Sequence, residues 1–336
     1  MPSRRFLPLL LAVIFAWLGS SRTASAEWET KKINGREYVN VAGMQKFYGF
    51  DSFQQGRREV VLENKKVIMK LRPGSQECTM NGVKFVFSYK VEESGGKTWV
   101  SRIDLAKLVD PVLRPNYIGN AGDFRTVIID PGHGGKDPGA TNSLGTEARY
   151  NLLVAEGLKK MLTERGYKVL MTRESNKYLT LQERVNFANR VTDNAIFISI
   201  HHNSGGRSAA RGLETFTLSP IGVAHYGRGL NSSDFQAREG NSHDSANVAL
   251  ATAIHGSVSR RLGKNTLDRG IKRARFSVLT GVKHPSILIE CGFMTHPYEA
   301  RLIHNEAYRK AVVTGIAEAI AKYRMAVSRK PAGRKP

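Results

Sequence analysis

Three short apolar runs, each stopping at a histidine or a carboxylate, restrict this 336-residue chain more than any other feature. Val127–Ile129 breaks at Asp130-Pro131-Gly132, and His133 follows at once. Ala195–Ile200 stops at His201-His202-Asn203, and Ser286–Ile289 stops at Glu290. Runs this short and this apolar read as strands buried on both faces, which requires a sheet covered by helices. Proline and glycine end the first run because neither continues a sheet. In open α/β sheets ligands bind outside the carboxyl ends of the strands. If these strands are parallel, their terminal polar residues converge on that edge.

The segments between the runs carry helical periodicity. Val154, Leu158, Met161 and Leu162 make one stripe over 148–165, and Gly166 stops it. Thr180 to Glu183 is a capping box that opens a second helix. Further helices are expected over 245–262 and after Asn305, with strands over 167–172 and 276–279. Strands alternating with helices from Arg125 onward predict an α/β fold with a mostly parallel sheet flanked by helices. Glu147, in the first turn of the first helix, joins His133 and the His201-His202 pair near Glu290. Two histidines and a glutamate with an open fourth position form a catalytic zinc set, and a free carboxylate beside it serves as base. His201 is the expected ligand of the pair. The long stretch Gly205 to Asp244, poor in apolar residues after Leu218, is expected to be a lid or substrate-contacting loop.

Taken in order, Val127 to Asp137, Thr172-Arg173, Leu181 with Arg184 and Ala188-Asn189, Ser199 to Asn203, and Ile289 to Phe293 resemble the zinc-dependent N-acetylmuramoyl-L-alanine amidases of the third amidase class. The resemblance runs from about Arg125 to Tyr323. It implies Zn2+ held by His133, Glu147 and His201, with Glu290 as the catalytic glutamate. It also implies hydrolysis of the amide between N-acetylmuramic acid and L-alanine of the stem peptide in peptidoglycan. Asn203, Arg173 and Lys136 are candidate substrate contacts. The glycines around His133 are expected to give a bulky polymer clearance to the metal. Two positions depart from the family pattern. His202 stands where a small residue is common, a candidate to compete for metal or touch substrate, and Cys291 is expected to pack.

The remainder sets location and partners. Arg4 and Arg5, the apolar stretch Phe6 to Leu18, and Ala24-Ser25-Ala26 predict a signal peptide over 1–26 and hence an exported, periplasmic or wall-associated protein. A formal charge of +22 calls for an anionic partner. Export turns that expectation from nucleic acid to peptidoglycan and other anionic envelope polymers. Residues 27–118 alternate short β-type runs with turn signals, predicting a small β-rich binding or spacing module that weakly resembles a copper amine oxidase N-terminal-like module. Within it, Gly35 to Phe47 echoes Gly96 to Leu108. Residues 110–122 read as a linker, 125–323 as the catalytic domain, and 324–336 as a basic disordered tail. Two cysteines, Cys78 and Cys291, exclude a disulfide framework.

Overall fold

The computed structural model describes residues 28–206 and 209–329. The expected signal peptide and residues 330–336 of the expected tail lie outside the described residues.

Residues 126–328 contain strands β1 (Thr126–Pro131), β2 (Lys168–Met171), β3 (Ala195–Asn203), β4 (Leu213–Leu218), β5 (Asp268–Ala274) and β6 (Ser286–Phe293). Their helices are α1 (Glu147–Glu164), α2 (Leu181–Asn189), α3 (Asp244–Leu262), α4 (Ser277–Gly281), α5 (Pro297–His304) and α6 (Glu306–Ser328). The strand order is β2-β1-β3-β6-β4-β5. The apolar runs are continuous because alternate residues enter different cores. Ile196, Ile198, Ile287 and Ile289 pack with Val154 and Leu158 of α1 and Ile316 and Ile320 of α6. On the other face Ile128, Phe197 and Leu288 pack with Val185 and Ala188 of α2 and Leu279 of α4. Both halves of the expected capping box at Thr180 and Glu183 are formed.

The β2, β1, β3 and β6 strands run parallel, so the ends of three of them bring His133, His201 and Glu290 to one edge. Beyond β6 the expectation of a mostly parallel sheet gives way to a mixed one. The β4 strand lies antiparallel to β6, and β5 pairs parallel with β4. Part of the expected Gly205–Asp244 loop is therefore a central strand. The β5 strand carries Lys272 and Arg273, which look like surface residues in the sequence but are buried. The strand expected over 276–279 is instead the helical turn α4.

Residues 28–118 extend this sheet. Val83–Val86 joins β5 at Phe85 opposite Ile271, and Glu77–Met80, Ile68–Leu71, Val60–Glu63 and Ser52–Gln55 follow antiparallel, completing an 11-stranded sheet. Phe85 is fully buried in the same core as β1 and β3. Asp268 of β5 accepts the Lys84 backbone N–H at 2.9 Å. The two echoing segments supply the strands Arg36–Asn40 and Lys97–Ser101, which pair antiparallel in a separate four-stranded sheet. The expected linker is not extended. Asp110–Leu113 forms a helical turn against α3, and Pro115–Tyr117 forms another against α6. The expected tail likewise begins as helix. The α6 helix continues to Ser328, Val327 is buried, and Arg324 pairs with Asp123 at 2.5 Å. Both cysteines are free and buried, and among the described residues no helix is long and apolar enough to cross a membrane.

Because the sheet and core are continuous across Phe85, its truncation is expected to weaken the whole unit. Phe85→Ala should cost about 3–5 kcal/mol. Urea unfolding followed by tryptophan fluorescence and by far-ultraviolet circular dichroism should move together. A shift in only one probe would show that the two parts unfold separately.

Candidate metal centre

His133 leaves the end of β1 with φ of 60°, a left-handed conformation that costs a non-glycine residue about 1–3 kcal/mol and persists only where its surroundings enforce it. Two buried arginines enforce it. Arg184 donates to the carbonyls of Pro131 and His133 at 2.8 Å each, and to Asp130 Oδ1 at 2.7 Å. Arg173 donates to the carbonyls of Pro131 at 2.9 Å and of Gly132 and Ala148 at 2.8 Å. The fully buried Asp130 also accepts from Thr172 Oγ1 at 2.6 Å and Ser199 Oγ at 2.8 Å. Asp137 then fixes the imidazole. Its Oδ2 lies 2.8 Å from His133 Nδ1, and its Oδ1 accepts the Gly139 N–H at 3.1 Å. His133 Nε2 is thereby turned toward Glu147.

Glu147 is the first residue of α1, capped by Thr146, where the helix dipole favours an anion. Its Oε2 accepts the Ala140 N–H at 3.0 Å, and its Oε1 lies 3.2 Å from His133 Nε2 and 2.9 Å from His201 Nδ1. One ligand atom from each of the three residues lies within 4.8 Å of the others. Burial opposes the Glu147 charge, but the two imidazoles outweigh it and hold the carboxyl well below the usual range. Burial likewise opposes a charged His133, and Glu147 and Asp137 together raise it above its ordinary value. Two imidazoles and a carboxylate beside a cleft are a donor set that zinc takes.

Glu290 sits beside His201 on the neighbouring parallel strand and opposite Glu214 on β4. Its Oε2 is buried with no hydrogen-bond partner among the described residues. Burial, and then the charges of Glu147 and Glu214, push its carboxyl well above the usual range. Glu214 itself pairs with Lys272 at 2.7 Å and with Arg269. His133, His201 and Glu290 share a cleft of about 540 Å³ with Tyr178, Leu181 and Phe276.

The remaining expected contacts divide. Lys136 is exposed, its Nζ 4.5 Å from the centre of the ring of Tyr178, which lines the cleft. Asn203 is half-buried and donates to Glu214 Oε2 at 3.2 Å. Arg173 is withdrawn from substrate, because its guanidinium is buried and spent on backbone carbonyls. His202 neither competes for metal nor faces the cleft. A bulge in β3 between His201 and Asn203 lets both histidines approach α1, and His202 is fully buried with Nδ1 2.8 Å from Asn151 Oδ1. Burial pushes it down to about 4, so it is neutral at neutral pH. The glycines serve close packing rather than clearance for a polymer. A Cβ on Gly132 would overlap the His201 ring, and one on Gly139 would meet Glu147 Oε2 at 2.6 Å. After β4 the expected lid is pinned by the fully buried Asp234, which pairs with Arg228 and Arg275 at 2.7 Å each. Sequence reasoning gave Asp137 no role. Its signal was present as an acid four residues after a turn histidine.

Comparison with known proteins places this site in context. Residues 127–322 match the family model described as N-acetylmuramoyl-L-alanine amidase. The uncharacterized protein YqiI of Bacillus subtilis is 33% identical over 199 residues, 59% of this chain and 84% of that protein. The N-acetylmuramoyl-L-alanine amidase AmiA of Escherichia coli is 28% identical over 251 residues, 68% of this chain and 86% of that protein. Among solved structures, the N-acetylmuramoyl-L-alanine amidase AmiC2 of Nostoc punctiforme is 30% identical, covers 60% of this chain and 97% of its own, and superposes with a TM-score of 0.49.

The arginine brace makes its own prediction. Arg184→Leu strands the Asp130 carboxylate in the core and should cost about 3–5 kcal/mol. Adding Asp130→Asn removes the buried charge and should recover part of that loss. Chemical denaturation of the single and double variants measures both, and a double variant no more stable than Arg184→Leu would deny that the stranded charge is the cause.

Proposed function

The chain belongs to the N-acetylmuramoyl-L-alanine amidase family, and we propose that it hydrolyses the bond between N-acetylmuramic acid and L-alanine as a zinc enzyme, with His133, Glu147 and His201 holding the metal. The observation that carries this reading is the convergence of one donor atom from each of the three residues within 4.8 Å, with His133 and His201 lining the cleft that also holds Glu290. Zinc bound there would supply an acidified water and polarise the amide carbonyl. The protein's own part is orientation and proton transfer. Asp137 holds His133 in the tautomer that leaves Nε2 free for the metal. Glu290 would take a proton from the attacking water and deliver it to the departing L-alanine nitrogen. Its environment suits that exchange, because burial and neighbouring carboxylates give it a higher proton affinity than an ordinary glutamate. The exposed Lys136 and Tyr178, with Leu181 and Phe276, would line the path of the glycan and stem peptide.

The N-terminal segment 1–26 and the basic charge support a role outside the cytoplasmic membrane, acting on the wall polymer, with residues 27–118 as a binding or spacing module.

Purified peptidoglycan treated with the zinc-loaded protein should release stem peptides with free L-alanine amino termini, and a chelator should abolish release. Products cut between stem amino acids would instead indicate a peptidase. Glu290→Gln should retain zinc and lose at least about 100-fold in turnover. His133→Ala and Glu147→Ala should lose zinc itself on dialysis, as elemental analysis would report. Stoichiometric zinc in both would overturn the ligand assignment.

A further inference from the structure

Behind the candidate metal centre lies a polar chain that the proposed reaction does not use. Asn151, one helical turn after Glu147 on α1, is fully buried. Its Nδ2 donates to Glu147 Oε1 at 3.3 Å and to the Gly132 carbonyl at 3.2 Å. Both of those partners are acceptors only, so the amide can stand in just one orientation, with its Oδ1 turned away from the cleft. That oxygen meets His202 Nδ1 at 2.8 Å. An amide oxygen can only accept, so His202 carries its proton on Nδ1, and the tautomer follows from the network. Its Nε2 is buried without a partner among the described residues, so His202 has a single side-chain hydrogen bond and spends it on Asn151. The His202 backbone N–H adds a second anchor, donating to Glu147 Oε1 at 3.2 Å.

We propose that His202 and Asn151 are positioning residues for the metal centre: the His202 Nδ1–H locks the Asn151 amide, and that amide sets the angle of the Glu147 carboxylate against the loop carrying His133. This rests on the zinc reading above and goes beyond it, since neither residue is a ligand or touches the cleft. One amide ties together the two ligand-bearing elements, the start of α1 through Glu147 and the end of β1 through Gly132. Without the donor from His202, nothing else described holds Asn151 Oδ1. The amide is then free to rotate and to present an acceptor to the Glu147 oxygen, which would swing that carboxylate away from the histidines.

The test uses the full chain, with the zinc dissociation constant taken by chelator competition and the visible absorption of the cobalt(II)-loaded protein as a reporter of ligand geometry. His202→Leu should weaken zinc binding about 10- to 100-fold and shift the cobalt bands. His202→Asn, whose amide can donate from nearly the same place, should stay within about three-fold of the parent and keep its spectrum. Asn151→Ala, a helix-favouring replacement, removes the relay independently and should lose affinity over the same range, which keeps the proposal testable if His202→Leu does not fold. Parent-like affinity and spectrum in His202→Leu or in Asn151→Ala would overturn it. Equal losses in His202→Leu and His202→Asn would also overturn it, by showing that packing rather than the hydrogen bond matters. A parent that binds no zinc would instead sink the zinc reading itself, so the two failures are distinct.

Discussion

The buried carboxylate of Asp130 is the interaction on which the rest of the site depends. It lies at the end of β1, fully enclosed, and is satisfied by Arg184, Thr172 and Ser199 from three other elements. A buried ion pair is weak evidence for stability, because desolvation offsets much of the attraction. Its value here is geometric. Arg184 and Arg173 turn their remaining donors on the carbonyls of Pro131, Gly132 and His133, so a loop of glycines and one left-handed histidine has a single path. The strain at His133 is held by the two arginines that grip the loop's carbonyls.

With that loop fixed, electrostatics separates the two carboxylates of the centre. Glu147 begins a helix and faces two imidazoles, which keep it anionic and ready for a cation. Glu290 is buried one strand away, with an unpartnered oxygen and two acidic neighbours, and holds a proton more readily. On the proposed reading, similar groups in dissimilar surroundings thus divide into ligand and proton carrier. Glu214 extends the arrangement: it pairs with Lys272 and faces Glu290 from across the strand pair.

What could be read from the sequence follows the same physics. The β1, β3 and β6 strands were legible because both of their faces enter cores, which leaves unbroken apolar runs whose polar ends stand out. The α1 helix and the capping box of α2 were legible from periodicity and local chemistry. The β5 strand was not, because Lys272 and Arg273 look solvated until their buried partners are known. Strand direction has no signature in periodicity, so the reversal at β4 could not be foreseen. Arg173 and His202 were misread for a related reason. A cation or an imidazole in a motif looks functional toward substrate, whereas here Arg173 is spent on backbone carbonyls and His202 on an amide behind the candidate metal centre. The continuous sheet through Phe85 was hidden because it rests on a single residue pair between segments far apart in the chain.

The central claim is that His133, Glu147 and His201 form a zinc centre of two imidazoles and one carboxylate. X-ray absorption at the zinc edge of the loaded protein tests it most directly. The account predicts two imidazole nitrogens at about 2.0–2.1 Å with oxygen scatterers at about 2.0–2.2 Å and no sulfur. A sulfur shell, or oxygen scatterers without imidazole, would contradict it.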